Sequence, residues 1–153
     1  MSIFIMLDVG GTEIKGGVFD VSGALLGGIR NFQAKAGENP DTIFENFCHI
    51  ISDLGGGFPK EKLEGIGMAF PGPFDYEQGI SLMRGLNKYD QIYGMRIPEE
   101  LRKRSRKLER VKILFRHERL PEHLNVEDVA AGDKLVREYE TTFINGGLRL
   151  KPL

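Results

Sequence analysis

The chain has 153 residues, 41% hydrophobic and 28% charged, with a formal net charge of −1. That length suits one domain or one lobe of a larger enzyme, and that composition suits a soluble globular chain with a buried core. The near-neutral charge gives no whole-protein pull toward nucleic acid or membrane, and a single cysteine, Cys48, excludes an internal disulfide or a cysteine-based zinc cluster.

The apolar run Ile3–Val9 predicts a buried strand. Its first part, Ile3 to Leu7, has no basic flank and is broken by Asp8, which is too short for a signal peptide or a membrane span. The expected setting is therefore cytoplasmic. Ile14–Asp20 predicts a second strand, Val21-Ser22-Gly23 a turn, and Leu25–Phe32 a third strand. Strands joined this tightly pair antiparallel.

Asn39-Pro40-Asp41 is a helix start: an N-cap, a proline in the first turn and an acid near the positive end of the dipole. Ile43, Phe44, Phe47, Ile50, Ile51 and Leu54 follow at helical spacing until Gly55-Gly56-Gly57. Leu63–Phe70 predicts a strand stopped by Pro71-Gly72-Pro73. From Phe74 to Met95 the pattern is loop with short strands. Pro98 opens a polar helix expected to reach about Arg110, and Val111–Phe115 predicts another buried strand. Asn125 and Asp128 can start a last helix, with Val126, Val129, Val136 and Tyr139 on one face, before an aperiodic tail from Ile144 to Leu153. The order describes a mixed α/β lobe with an antiparallel hairpin region and flanking helices.

The first hairpin carries the chemistry. Phosphate needs backbone N–H groups aimed at it, small residues that let the backbone approach, and often a hydroxyl or a cation. Gly10, Gly11 and Thr12 meet the first two needs, and Lys15 can supply the cation. Asp8, at the strand end, can hold magnesium through a bound water. Two commoner phosphate motifs are absent: Gly11 and Gly16 have the GxxxxG spacing but are followed by Gly17-Val18, and no GxGxxG occurs. A tight hairpin with glycines for geometry alone fits the same residues.

Three segments in order carry a resemblance. Asp8-x-Gly10-Gly11-Thr12-x-x-Lys15, followed by Gly17-Val18-Phe19-Asp20, resembles the first phosphate loop of the ROK family of bacterial sugar kinases and related repressors. "GIGMAFPGPFDYEQGIS", from Gly65 to Ser81, resembles that family's strand and Pro-Gly-Pro turn beside the sugar. "LNKYDQIYGMRIPEEL", from Leu86 to Leu101, resembles its sugar-side loop and helix. The resemblance covers roughly Ile3 to Glu118. It implies the N-terminal lobe of the actin-like ATPase (ribonuclease H-like) fold over residues 1–118, with 119–153 a C-terminal helix and loose tail and the second lobe missing.

By the same resemblance the activity is ATP-dependent phosphorylation of a glucose-like hexose, with ATP and magnesium as cofactors and no zinc expected. Asp8, Gly10, Gly11, Thr12 and Lys15 would face phosphate and magnesium. Pro71, Gly72 and Pro73 would shape the sugar pocket, and Asn87 and His117 would contact sugar hydroxyls. Where the family has an Asn-Asp pair, this chain has His117-Glu118, which makes Glu118 the candidate base. Glu is one methylene longer than Asp, and a misplacement of about 1 Å costs on the order of a hundredfold in rate. The family's second Gly-Thr-Gly phosphate loop, its zinc motif and its adenosine region have no counterpart here, so slow or absent turnover is expected. The alternative is a non-catalytic remnant acting as a sugar-binding or interaction module. Family members often form dimers, which makes a homodimer one expected assembly; neither nucleic acid nor membrane is an expected partner.

The remaining features have plain readings. Arg102 to Lys112 holds seven basic residues against one acid and reads as a solvated helix face rather than a nucleic-acid contact. His49 reads as a boundary residue of the first helix, His123 as a loop residue and Cys48 as a packed thiol. Phe70, Phe74 and Tyr76 suit either a sugar wall or strand-end packing.

Overall fold

A computed structural model describes residues 2–117. Glu118, the expected helix from Asn125 and the tail to Leu153 lie outside the described residues. Seven strands and two α-helices run in the order β1 (Ile3–Val9), β2 (Glu13–Asp20), β3 (Arg30–Gln33), α1 (Pro40–Gly55), β4 (Leu63–Phe70), β5 (Phe74–Asp75), β6 (Ile80–Ser81), α2 (Ile97–Arg104) and β7 (Lys112–His117). Five strands form one sheet in the order β3-β2-β1-β4-β7, and β5 and β6 form a separate small ribbon. β1, β2 and β3 pair antiparallel, as tight connections require, while β4 and β7 add parallel to β1 after crossovers through α1 and α2.

Period-two alternation divides this sheet between two cores. Ile3, Ile5, Leu7 and Val9 of β1, with Ile66, Met68 and Phe70 of β4, share one core with α1. All six apolar residues at helical spacing in α1 are buried there. The Asn39 side chain accepts from the Thr42 N–H at 2.9 Å, satisfying one of the helix's otherwise orphan donors. Phe4, Met6, Phe19 and Ala69 form a smaller core on the opposite face.

Two elements are shorter than their sequence patterns suggest. β3 begins at Arg30 rather than Leu25; Leu25 makes only an isolated bridge to Phe19. Gly27 intervenes with φ +90°, which takes the backbone out of extended geometry. α2 stops at Arg104 because Ser105 is extended, with φ −142° and ψ 108°, and a single 3-10 turn, Arg106–Leu108, follows. Arg102 then satisfies the carbonyls of Leu108 at 3.2 Å and Val111 at 2.9 Å. Arg104 bonds Glu100 and Asp41 and lies over the Phe44 ring, joining α2 to α1. Part of the basic stretch is thus used internally. Among the described residues no helix is long and apolar enough to cross a membrane.

Tyr89 is the fold's central polar anchor. Its ring is fully buried, centred 6.4 Å from Phe47 and 5.7 Å from Phe70. Its hydroxyl donates to the Gly10 carbonyl at 2.7 Å, and its N–H donates to the Ala36 carbonyl at 2.8 Å. Burial pushes the phenol's pKa up, so it stays a neutral donor.

Three outcomes follow from this packing. A Cβ at Gly16 would sit 2.7 Å from Leu54 Cδ1 and 2.8 Å from Leu7 Cδ2, so Gly16→Ala is expected to cost about 1–3 kcal/mol in urea unfolding. Adding Leu54→Ala should then cost less than the sum of the two changes. Tyr89→Phe leaves the Gly10 carbonyl without its donor and is expected to cost about 1–3 kcal/mol by the same measurement. Hydrogen bonds from Arg104 and then Lys103 hold the Glu100 carboxyl below its usual range. A depressed folded-state pKa stabilises above the carboxylate range and loses that contribution as pH falls through it. Glu100→Gln should therefore lose less stability than the unsubstituted chain between about pH 5 and 3.

Candidate functional site

The carboxyl ends of β1, β4 and β7 lie side by side, the edge of an open α/β sheet where ligands commonly bind. β1 ends in Asp8-Val9, and Gly10-Gly11-Thr12 turns the chain into β2. The turn is closed by a bond from the Gly10 N–H to the Glu13 carbonyl at 2.9 Å. A Cβ on Gly10 would lie 2.8 Å from that same oxygen, so this position excludes a side chain. The Thr12 carbonyl accepts from Ala34 at 3.0 Å, which ties the turn to the end of β3. Among the described residues, the Gly11 and Thr12 amides donate to no protein acceptor. Of the three amides expected to face phosphate, Gly10's is therefore used within the hairpin and two remain.

Register settles where Lys15 stands. It pairs directly with Asp8 across β1 and β2, and residues directly opposite share a sheet face. Asp8 pairs in turn with Ala69 of β4, and Ala69 pairs with Arg116 of β7. Lys15, Asp8, Ala69 and Arg116 thus form one row, on the face opposite α1. Asp8 is half-buried and Lys15 is exposed. Among the described residues Lys15 makes no ion pair. Arg116 was not expected in this row, because the Val111–Phe115 pattern ends the strand one residue too soon. β7 continues to His117 because β4 still offers Ala69 and Phe70 as partners. Continuing the period-two pattern through Arg116 was the available signal.

Most of the residues expected to face sugar gather one step further along. Phe70 pairs with His117, which stands on the α1 face of the sheet and is exposed. Pro71, Gly72 and Pro73 follow β4, with a cis bond between Gly72 and Pro73. A Cβ on Gly72 would lie 3.7 Å from both His117 Nε2 and the Tyr76 hydroxyl. The Tyr76 ring meets His117 edge-on at 5.7 Å, and its hydroxyl donates to the Phe70 carbonyl at 2.9 Å. Phe74 stacks on Phe70 at 4.6 Å and belongs to the core, whereas Tyr76 is only half-buried. Both rings thus pack at the end of β4, Phe74 in the core and Tyr76 against it.

Asn87 stands apart from that group. It is exposed in a left-handed conformation, φ 58°, on the loop that Tyr89 docks against the Gly10 carbonyl. No hydrogen bond among the described residues joins it to Pro71–Pro73 or His117. A separate groove of about 280 Å³ lies at the other end of the sheet, lined by Ile3, Cys48, Ile51, Phe58, Leu63 and Leu108, and includes none of these residues.

No family model matches the sequence, and no curated protein matches it. Solved structures do match. A glucokinase from Parabacteroides distasonis aligns at TM-score 0.61 and 22% identity, over 76% of this chain and 31% of that one. A ROK family glucokinase from Streptomyces griseus, in complex with glucose and AMPPNP, aligns at TM-score 0.59 and 17% identity, over 76% of this chain and 33% of that one. A ROK family transcriptional regulator, a homologue of the E. coli MLC protein, aligns at TM-score 0.59 and 14% identity, over 76% of this chain and 28% of that one. The chain spans about a third of the length of these structures. Its described residues have the α/β fold of the N-terminal lobe of the ROK sugar kinases, a mixed sheet with flanking helices on the actin-like ATPase plan.

Proposed function

We propose that this chain is the phosphate- and sugar-binding lobe of a ROK-type sugar kinase that phosphorylates a glucose-like hexose from ATP. One observation carries the reading: a glycine turn with two acceptor-free amides stands beside Asp8 and Lys15 at the carboxyl ends of parallel strands. That donor set suits a magnesium-bound polyphosphate, since magnesium commonly takes one or two carboxylates plus substrate phosphates. When bound, ATP and magnesium supply the transferable phosphoryl group and neutralise its charge.

In this reading the turn amides and Lys15 hold phosphate oxygens, and Asp8 orients a magnesium-bound water. Pro71, Gly72 and Pro73 wall the sugar, and His117 and Asn87 bond its hydroxyls. Glu118 follows His117 in sequence and lies outside the described residues; it takes the proton of the attacking hydroxyl. The closeness of His117 to Gly72 supports grouping these two on the sugar side. Among the described residues no group of three or more His, Cys, Asp or Glu side chains is placed to hold a metal.

A second reading, a non-catalytic sugar-binding or interaction module, is favoured by one match. The same lobe occurs in a protein named as a transcriptional regulator.

Purified chain assayed for ADP release with ATP, magnesium and a hexose panel separates the two. The first reading expects slow hexose-dependent turnover that Asp8→Asn lowers further, by on the order of a hundredfold. Hexose binding without ADP release selects the second. A folded sample that neither binds nor turns over hexose rejects both.

A further inference from the structure

We propose that Lys88 is a phosphate-contacting residue of the Gly10–Thr12 turn, delivered by the loop that also carries Asn87. This rests on the reading of the turn as a phosphate site and adds to it a cation from outside the turn's own hairpin.

The geometry is specific. A Cβ at Gly11 would lie 3.1 Å from Lys88 Cδ, 3.6 Å from its Cβ and 4.0 Å from its Cγ. The aliphatic stem of Lys88 therefore runs across the bare Cα of Gly11. The ammonium is two bonds beyond Cδ, within reach of the turn. A side chain at position 11 would press on that stem, so Gly11 serves the lysine as well as any ligand.

The stem is held in place from the next residue. Tyr89 is fixed at three points: its N–H on Ala36, its hydroxyl on Gly10, and its ring between Phe47 and Phe70. Lys88 thus departs from an anchored backbone, which limits the rotamer freedom lost on contacting a ligand. The nearest acid in sequence is already occupied, because Asp90 accepts from the Gly85 N–H at 3.0 Å and the Leu86 N–H at 3.4 Å. Among the described residues Lys88 makes no ion pair. The stem of a lysine thus crosses a glycine turn whose Gly11 and Thr12 amides have no protein acceptor among the described residues, the donor types an anion recruits. The shared ligand chemistry is a phosphoryl group of a polyphosphate, whether nucleoside-linked or inorganic.

The test is calorimetric titration of the full chain with Mg·ATP and, separately, with magnesium tripolyphosphate. Lys88→Met keeps the stem on Gly11 and removes the charge; Lys88→Arg keeps a charge; Lys107→Met removes a lysine from the distant groove. A lost charge-assisted contact weakens binding by about tenfold or more. The expected result is that Lys88→Met weakens both ligands to that extent, Lys88→Arg recovers most of the affinity, and Lys107→Met has little effect. Unchanged affinity in Lys88→Met overturns the proposal and leaves the turn's reading standing. Weakening of ATP alone also overturns it, because the contact would then be to the nucleoside. If the unsubstituted chain binds neither ligand, the reading of the turn fails and the proposal fails with it.

Discussion

The hydrogen bond from Tyr89 to the Gly10 carbonyl is the contact on which the arrangement of the site depends. A single such bond contributes only about 1 kcal/mol net, but an unsatisfied buried carbonyl costs about 1–3 kcal/mol. The larger constraint is geometric. The turn could splay away from the sheet end, and the loop from Leu86 to Ile92 could move independently of it. Tyr89 removes both freedoms because one side chain reaches the turn, helix α1 and strand β4 together. The glycines then act within a fixed frame: Gly10 fits under the Glu13 carbonyl and Gly11 under the Lys88 stem.

The sheet distributes chemistry between its faces. On one face α1 covers a continuous apolar layer. On the other, the apolar layer gives way near the strand ends to Lys15, Asp8 and Arg116, with Ala69 between Asp8 and Arg116. A small residue there keeps the row low between two longer side chains. His117, one residue on, returns to the α1 face beside the Pro-Gly-Pro turn. The row of Lys15, Asp8 and Arg116 and the group around His117 therefore leave the same edge on different faces of the sheet.

Features with a local cause were legible in the sequence. Helix α1 shows its cap, its proline, its apolar stripe and its glycine stop within one short segment, and the structure reproduces each. β1 follows the apolar run Ile3–Val9, and β4 ends before Pro71, a residue that stops a strand on its own. Features decided by distant partners were not. β7 runs past Phe115 only because β4 extends beside it. α2 ends early at the extended Ser105, and Arg102 then satisfies the carbonyls of Leu108 and Val111. Lys88 had no motif to mark it; its stem meets Gly11, far earlier in the chain. The resemblance in short motifs succeeded where overall identity is low because backbone geometry at turns tolerates few residues, while core positions accept many of similar volume.

The 79-residue separation between Gly10 and Tyr89 also orders events in time. The β1–β2 hairpin is local and can close early, whereas β1–β4 and β4–β7 pairing must bring together segments far apart in the chain. During synthesis the turn leaves the ribosome well before its clamp, which follows only 79 residues later. A nascent chain that ends before Tyr89 has the hairpin without that clamp. A ligand that bound this edge would therefore favour chains in which the loop has already docked.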